Sequence, residues 1–214
     1  GADGRPNGAV AFPGTAGYYL LASDAGLPSG LGSRSFGMWV KFHSGTTMAP
    51  IGIGAAGAHH RWYNWSGGFV SENGGDAISI AGLHDGQWYH IVEVCANSAS
   101  DGVKRKLYIN GRVQVTSTVL NSLTLAGASG YKLGADHTAA LPFTGVIDAP
   151  FIFAGVLTGD QVRALYNKSS QQLAPNPKDS TEHVEAMSAT DILAQFSRLE
   201  APDLFSDIPA MEHW

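Results

Sequence analysis

The 214-residue chain holds a single cysteine, Cys95, so no disulfide can form within it. That excludes a small disulfide-stapled scaffold, which a domain of this length does not need to be. Cys95 sits inside a strand-like run and is expected to pack as a small core residue. Charge is scarce as well: Asp, Glu, Lys and Arg make up 14% of the sequence. Lys104-Arg105-Lys106 is the only basic cluster. It reads as an exposed strand edge whose lysines discourage aggregation, so nothing points to nucleic acid. No apolar run is long enough to span a membrane, and no signal sequence is visible. Catalytic patterns are missing too. Glycoside hydrolysis needs two carboxylates facing one another, and no Glu-x-Asp-x-Glu pattern supplies them. Glu72 and Asp76 are separated by a turn, and Glu93 stands alone. The eight histidines lack metalloprotease spacing, and no Gly-x-Ser-x-Gly elbow or phosphate loop occurs. A non-enzyme is expected.

What the chain has in quantity is glycine, 27 residues of it, set between short β-rich runs. That composition predicts many strands and little helix. The clearest signal runs from Asp85 to Arg112. Trp88, His90, Val92 and Val94 alternate with Tyr89, Ile91, Glu93 and Cys95, and both sets are mostly apolar. A strand covered on both faces is expected there. Asn110-Gly111 then predicts a tight hairpin, because a type I′ turn needs positive φ at both central residues. Ala9–Phe12 and Tyr18–Leu21 read as a first strand pair, Ser35–Phe42 as a strong strand, and Met48–Ile53, His60–Phe69 and Ala77–Ala81 as weaker ones. Arg112–Ser117, Leu123–Leu125 and Tyr131–Gly134 follow. Thr144–Phe153 is the last long strand, where Pro150 predicts an edge position or a bulge. Leu157–Tyr166 reads as a short helix, with Thr158 and Gln161 at capping-box spacing and Val162, Leu165 and Tyr166 facing the body. The pattern predicts an all-β, antiparallel two-sheet jelly-roll sandwich with a short helix after its last strand.

The ordered set Ala9-Val-Ala-Phe, Ser35-Phe-Gly-Met-Trp-Val-Lys-Phe, Gly86-Gln-Trp-Tyr-His-Ile-Val, Leu107-Tyr-Ile-Asn-Gly-Arg, Lys132-Leu-Gly, Thr144-Gly-Val-Ile-Asp and Leu157-Thr-Gly-Asp-Gln-Val-Arg-Ala-Leu-Tyr resembles a laminin G-like, concanavalin A-like jelly roll. The resemblance runs from about Ala9 to Tyr166. It implies two stacked antiparallel sheets and a range of roles, from sugar binding and adhesion to passive structure, so the fold does not settle the function. It also implies rim calcium sites built from an Asp and backbone carbonyls. Asp76, Asp136 and Asp148 are the carboxylates on offer, against the reading that they organise turns.

Residues 1–8 form a glycine-rich arm, residues 9–168 the jelly roll, and residues 169–214 an acidic linker and tail. Lys and Arg number 11 against 10 Asp and Glu up to Ser170, net +1, and 2 against 8 from Gln171 onward, net -6. Within the tail, Ser188–Ala201 predicts an amphipathic helix with the stripe Ile192, Leu193, Phe196 and Leu199. Leu204, Phe205, Ile208, Met211 and Trp214 follow on an extended acidic end. These nine residues are the candidate docking surface for assembly. The best ligand surface is His59, His60, Arg61, Trp62, Tyr63, Asn64 and Trp65, whose aromatics suit sugar rings and whose polar groups supply hydrogen bonds. Strand alternation puts Trp62 and Asn64 on one face and Tyr63 and Trp65 on the other, so part of the set is expected in the core.

The leading expectation is a non-catalytic subunit of a larger assembly, binding copies of itself or a coat or scaffold protein through its tail. The specific form expected is a viral or phage surface protein that decorates a capsid or tail. The alternative is a secreted carbohydrate-binding or adhesion module, and a divergent glycan-cleaving enzyme ranks third. No cofactor is implied beyond calcium. The expected location is extracellular or a virion surface.

Overall fold

A computed structural model describes residues 8–15, 17–20, 26–43, 47–65, 68–81, 83, 85–125 and 130–171. Tail residues Ile192, Leu193, Phe196, Leu199, Leu204, Phe205, Ile208, Met211 and Trp214 lie outside the described residues.

Among the described residues, twelve strands form two six-stranded antiparallel sheets. In chain order they are β1 (Ala9–Pro13), β2 (Tyr19–Leu20), β3 (Arg34–Phe42), β4 (Met48–Ala55), β5 (Ala58–Trp65), β6 (Gly68–Asn73), β7 (Asp76–Ala81), β8 (Trp88–Cys95), β9 (Arg105–Ile109), β10 (Arg112–Ser117), β11 (Tyr131–Leu133) and β12 (Thr144–Phe153). Helix α1 (Gly159–Gln171) follows. The first sheet runs β1-β12-β3-β8-β9-β10 and the second β2-β11-β4-β5-β6-β7.

The expected jelly roll is present, with three corrections of connection. Ala9–Phe12 and Tyr18–Leu21 do not pair: β1 lies against β12 in one sheet, and β2 against β11 in the other. The run expected as one strand over His60–Phe69 is a hairpin of β5 and β6, with Trp65 opposite Gly68. Leu123 forms only an isolated bridge to Gly30 rather than a strand. At Pro150 the bulge applies, because the β12–β3 register slips between Asp148 and Phe151.

Inward residues of both sheets fill the space between them. Phe36, Met38, Val40, Ile53, Trp62, Phe69, Ile91 and Leu107 have no exposed surface. Removing a large buried side chain such as Trp62 from such a core costs about 3–5 kcal/mol.

Helix α1 covers the far side of the first sheet. Its capping box forms as the spacing predicts: the Gln161 amide donates to Thr158 Oγ1 at 3.2 Å, and the Thr158 amide donates to Gln161 Oε1 at 2.8 Å. Leu157 and Val162 pack with Val92, Val94 and Tyr108. Tyr166 stacks on Trp39 at 5.7 Å, and Trp39 lies 5.2 Å from His90. Burial under this lid lowers the His90 pKa to about 4. The far side of the second sheet carries no helix among the described residues, and Arg61, Tyr63, Trp65 and Glu72 lie there.

Candidate functional site: the outer face of the second sheet

Strand β5 is divided by its own alternation. His60 and Trp62 point inward and are fully buried. Trp62 stacks on Phe36 at 4.9 Å and donates its Nε1–H to Glu93 Oε2 at 2.8 Å. Half-buried Asn64 sits on the same inward side, opposite Met48 and Phe69. A fully buried indole offers no ring to a ligand, so His60 and Trp62 leave the candidate surface. His59, Arg61, Tyr63 and Trp65 stay on the outward side, and Trp65 is 60% exposed.

Arg61 is the hub of the outer face. Its Nη2 donates to Glu72 Oε2 at 2.9 Å and its Nη1 to Asp136 Oδ2 at 3.2 Å. The guanidinium lies over the Tyr63 ring, 4.9 Å from its centroid. The Tyr63 hydroxyl donates to Glu72 Oε2 at 3.3 Å, and His59 Nε2 lies 2.9 Å from Glu72 Oε1. Tyr63 adjoins the exposed Trp65, with ring centroids 6.3 Å apart. Glu72 reaches this point because β6 pairs Glu72 directly with Arg61.

The segment after β11 closes over the same face. Asp136 Oδ1 accepts from the Thr138 amide at 3.1 Å, Thr138 Oγ1 at 2.9 Å and the Ala140 amide at 2.8 Å. Lys132 Nζ donates to the His137 carbonyl at 2.9 Å. The His137 ring stacks on His59 at 3.8 Å with planes 2° apart. Gly52 makes this approach possible, since a Cβ there would stand 2.0 Å from the His137 nitrogen. Beyond it, the Lys132 ammonium lies 5.9 Å from the Tyr18 ring.

Both carboxylates stay ionised. Burial disfavours the charge on Glu72, but hydrogen bonds from Arg61 and His59 outweigh it and hold its pKa below the usual range. Asp136 is likewise lowered: burial opposes the charge, and the Ala140 amide, Thr138 and Arg61 overcome it. Burial, and then the neighbouring His59, lower His137 to about 4.

A second ionic cluster lies inside the sandwich. Glu93 Oε2 accepts from Trp62 and Ser71, and Glu93 Oε1 accepts from Arg105 Nε at 2.8 Å. His60 Nε2 is 3.1 Å from Glu93 Oε2, and its Nδ1 faces Arg34 Nη2 at 3.3 Å. Burial lowers His60 to about 4, so it is neutral at pH 7. That tautomer donates from Nε2 and accepts at Nδ1. Burial disfavours the Glu93 charge, yet His60 and Arg105 hold it well below the carboxylate range. Arg105 is fully buried and also donates to Asp76. The basic cluster expected on an exposed edge therefore has its central residue in the core.

Metal binding is a poor fit to these groups. The ligand atoms of His60, Glu93 and Cys95 lie within 4.8 Å of one another. However, the Glu93 oxygens are already taken, Arg34 and Arg105 flank the cluster, and burial raises the Cys95 thiol to about 12. A thiol that stays protonated is not a metal ligand. The carboxylates expected for calcium are separated and engaged. Asp76 Oδ2 accepts from Arg105 at 2.8 Å and Ser117 Oγ at 3.0 Å. Asp136 holds Arg61 and its own turn. Asp148 is buried on β12 between Ala9 and Trp39, in the other sheet from Asp76. Among the described residues, no grouping of three such ligands includes any of the three. Asp76 and Asp136 thus hold ion pairs, and Asp136 organises its own turn.

Glu72, Lys132, Gly52 and His137 join the outer cluster, and none of them was assigned to a ligand surface from the sequence. Alternation in β6 does place Glu72 opposite in facing to Phe69 and Ser71, but that signal needs the β5–β6 turn to be located first.

Comparison with known proteins gives the fold a family. No curated protein matches the sequence. Among solved structures, a heptameric SAP-like pentraxin from Limulus polyphemus aligns with TM-score 0.54 and 17% identity, over 83% of this chain and 87% of the pentraxin. The receptor-binding domain of botulinum neurotoxin D aligns with TM-score 0.57 and 15% identity, over 75% of this chain and 44% of the toxin chain. A Bacteroides ovatus protein proposed to bind carbohydrate gives TM-score 0.54 and 12% identity, over 74% and 47%. This chain thus spans less than half the length of the last two, and all three likenesses show the fold alone. The family profile decides membership: it matches residues 13–163, and the chain belongs to the concanavalin A-like lectin/glucanases superfamily in its Laminin_G_3 branch.

Proposed function

We propose that this chain is a non-catalytic glycan-binding module whose ligand lies on the outer face of the second sheet. The observation that carries the reading is Trp65, 60% exposed beside Tyr63 and next to a pre-arranged set of polar side chains. A large exposed aromatic flanked by a few fixed polar groups is how proteins hold an amphipathic ligand. Membership of a lectin and glucanase superfamily is in keeping with it.

The same face argues against cleavage. Glycoside hydrolysis needs one carboxyl group with a raised pKa to act as the acid. Glu72 and Asp136 meet on one guanidinium, and both are lowered. Glycan-array binding by the protein, lost in Trp65→Ala, is the expected result. Array binding that survives this change moves the site elsewhere.

Attachment through the acidic tail to neighbouring copies or a coat protein, as on a virion surface, is carried by the sequence of residues 169–214 alone. The described residues add no observation in its favour.

A further inference from the structure

Resting on the glycan-binding reading, we infer that the site takes an uncharged sugar, and that Asp136 and Glu72 set this preference by masking Arg61.

The outer face holds the groups that would normally recruit an acidic sugar. Arg61 is a planar guanidinium suited to bidentate contact with a carboxylate or sulfate. Here both of its terminal nitrogens already face carboxylates of the protein, Glu72 on β6 and Asp136 in the segment after β11. Lys132 donates to the His137 carbonyl and lies close to Tyr18. Among the described residues, the two cations and two carboxylates of this site cancel, so it offers an anion no net positive charge. An acidic sugar would meet two carboxylates and no terminal nitrogen of Arg61 free of one. That is a repulsive element against one ligand class, which is how specificity is commonly built. A neutral sugar meets no such penalty, and the exposed Trp65 gives it an apolar surface.

The masking has a dedicated support. Gly52 admits the segment carrying Asp136 onto the sheet, and three donors from Thr138 and Ala140 fix the Asp136 carboxylate in place. The Asp136 charge is therefore held toward Arg61 by structure that does not depend on a ligand.

The test uses the full chain with Asp136→Asn and, separately, Glu72→Gln. The side-chain amide in Asp136→Asn keeps an oxygen to accept from Thr138 and Ala140, so the turn is retained. Thermal unfolding confirms that each variant is folded. Binding is titrated against neutral hexaoses of glucose, galactose and mannose, and against galacturonic acid hexaose and a sulfated galactose hexaose, at low and high salt. The expected result is that the native protein prefers neutral sugars by about tenfold or more, a difference typical of one lost or added polar match. Each variant should gain affinity for the acidic probes by about tenfold, and that gain should weaken with salt. A native preference for acidic sugars, or folded variants with unchanged preference, would overturn the masking and leave glycan binding standing. Failure to bind any probe would overturn the glycan-binding reading itself.

Discussion

On the inner side of β5, His60 and Trp62 join Glu93 and Arg105 with no exposed surface. On the outer side, His59 and Arg61 join Glu72 and Asp136, and the Arg61 side chain keeps 24% of its surface in solvent. The two clusters use the same chemistry, a carboxylate shared by an arginine, a histidine and a hydroxyl. Their surroundings set them apart. Inside, each charge has left water completely, so any unmatched member is costly and the cluster is a fixed part of the core. Outside, Arg61 stays partly in solvent while Asp136 and His59 are buried, so these pairs lie between a screened surface bridge and a fully desolvated one. One strand thus carries a fully buried array and the array proposed for recognition one residue apart.

The largest effect should come from breaking the inner cluster. Glu93→Ala leaves Arg105 buried without its main partner and is expected to lower stability by about 3–5 kcal/mol. Urea unfolding measures it, and a loss below about 1 kcal/mol would mean the cluster is not the fixed structure described.

Acid should follow. His60, His90 and His137 are each held neutral by burial, with values near 4. The unfolded chain takes up their protons near the ordinary histidine value of about 6.5. Unfolding therefore gains protons over this window, and stability is expected to fall as pH drops from about 6.5 towards 4. Glu72, Asp136 and Glu93, held low, add their losses as pH falls further through their own folded values. Urea midpoints at steps between pH 7 and 4 read the slope; a flat profile would contradict the neutral, buried imidazoles.

A smaller effect separates the two sides. Gly52→Val places a side chain where the His137 backbone lies, displacing the segment that carries Asp136. About 1–3 kcal/mol of stability should be lost, the usual cost of overpacking. Affinity for acidic sugars should rise as Arg61 is released, which a Glu93 variant would not reproduce.

The sequence revealed features whose cause is local. The Asn110-Gly111 hairpin is one, with Asn110 at φ 51° and Gly111 at φ 73°. The Thr158–Gln161 cap is another, since its partners are three residues apart. The alternation of β8 predicted both of its faces. Elements defined by distant partners were not readable. Arg105 looked like a surface residue because its neighbours are lysines; its partners Glu93, Ser71 and Asp76 come from three other strands. Three of the seven ligand candidates on β5, His60, Trp62 and Asn64, turned inward for the reason alternation gives. The other four acquired their meaning from Glu72 and Asp136, which only the sheet pairing and the segment over Gly52 bring to Arg61.

Trp65→Ala should change stability by no more than about 0.5 kcal/mol, because the ring is largely in solvent. Calorimetric titration of this variant beside the native protein, with the neutral hexaose that the native protein binds best, tests the outer face most directly. The account expects an unchanged unfolding midpoint and a loss of affinity of about tenfold or more. Native affinity in a fully folded Trp65→Ala protein would contradict it.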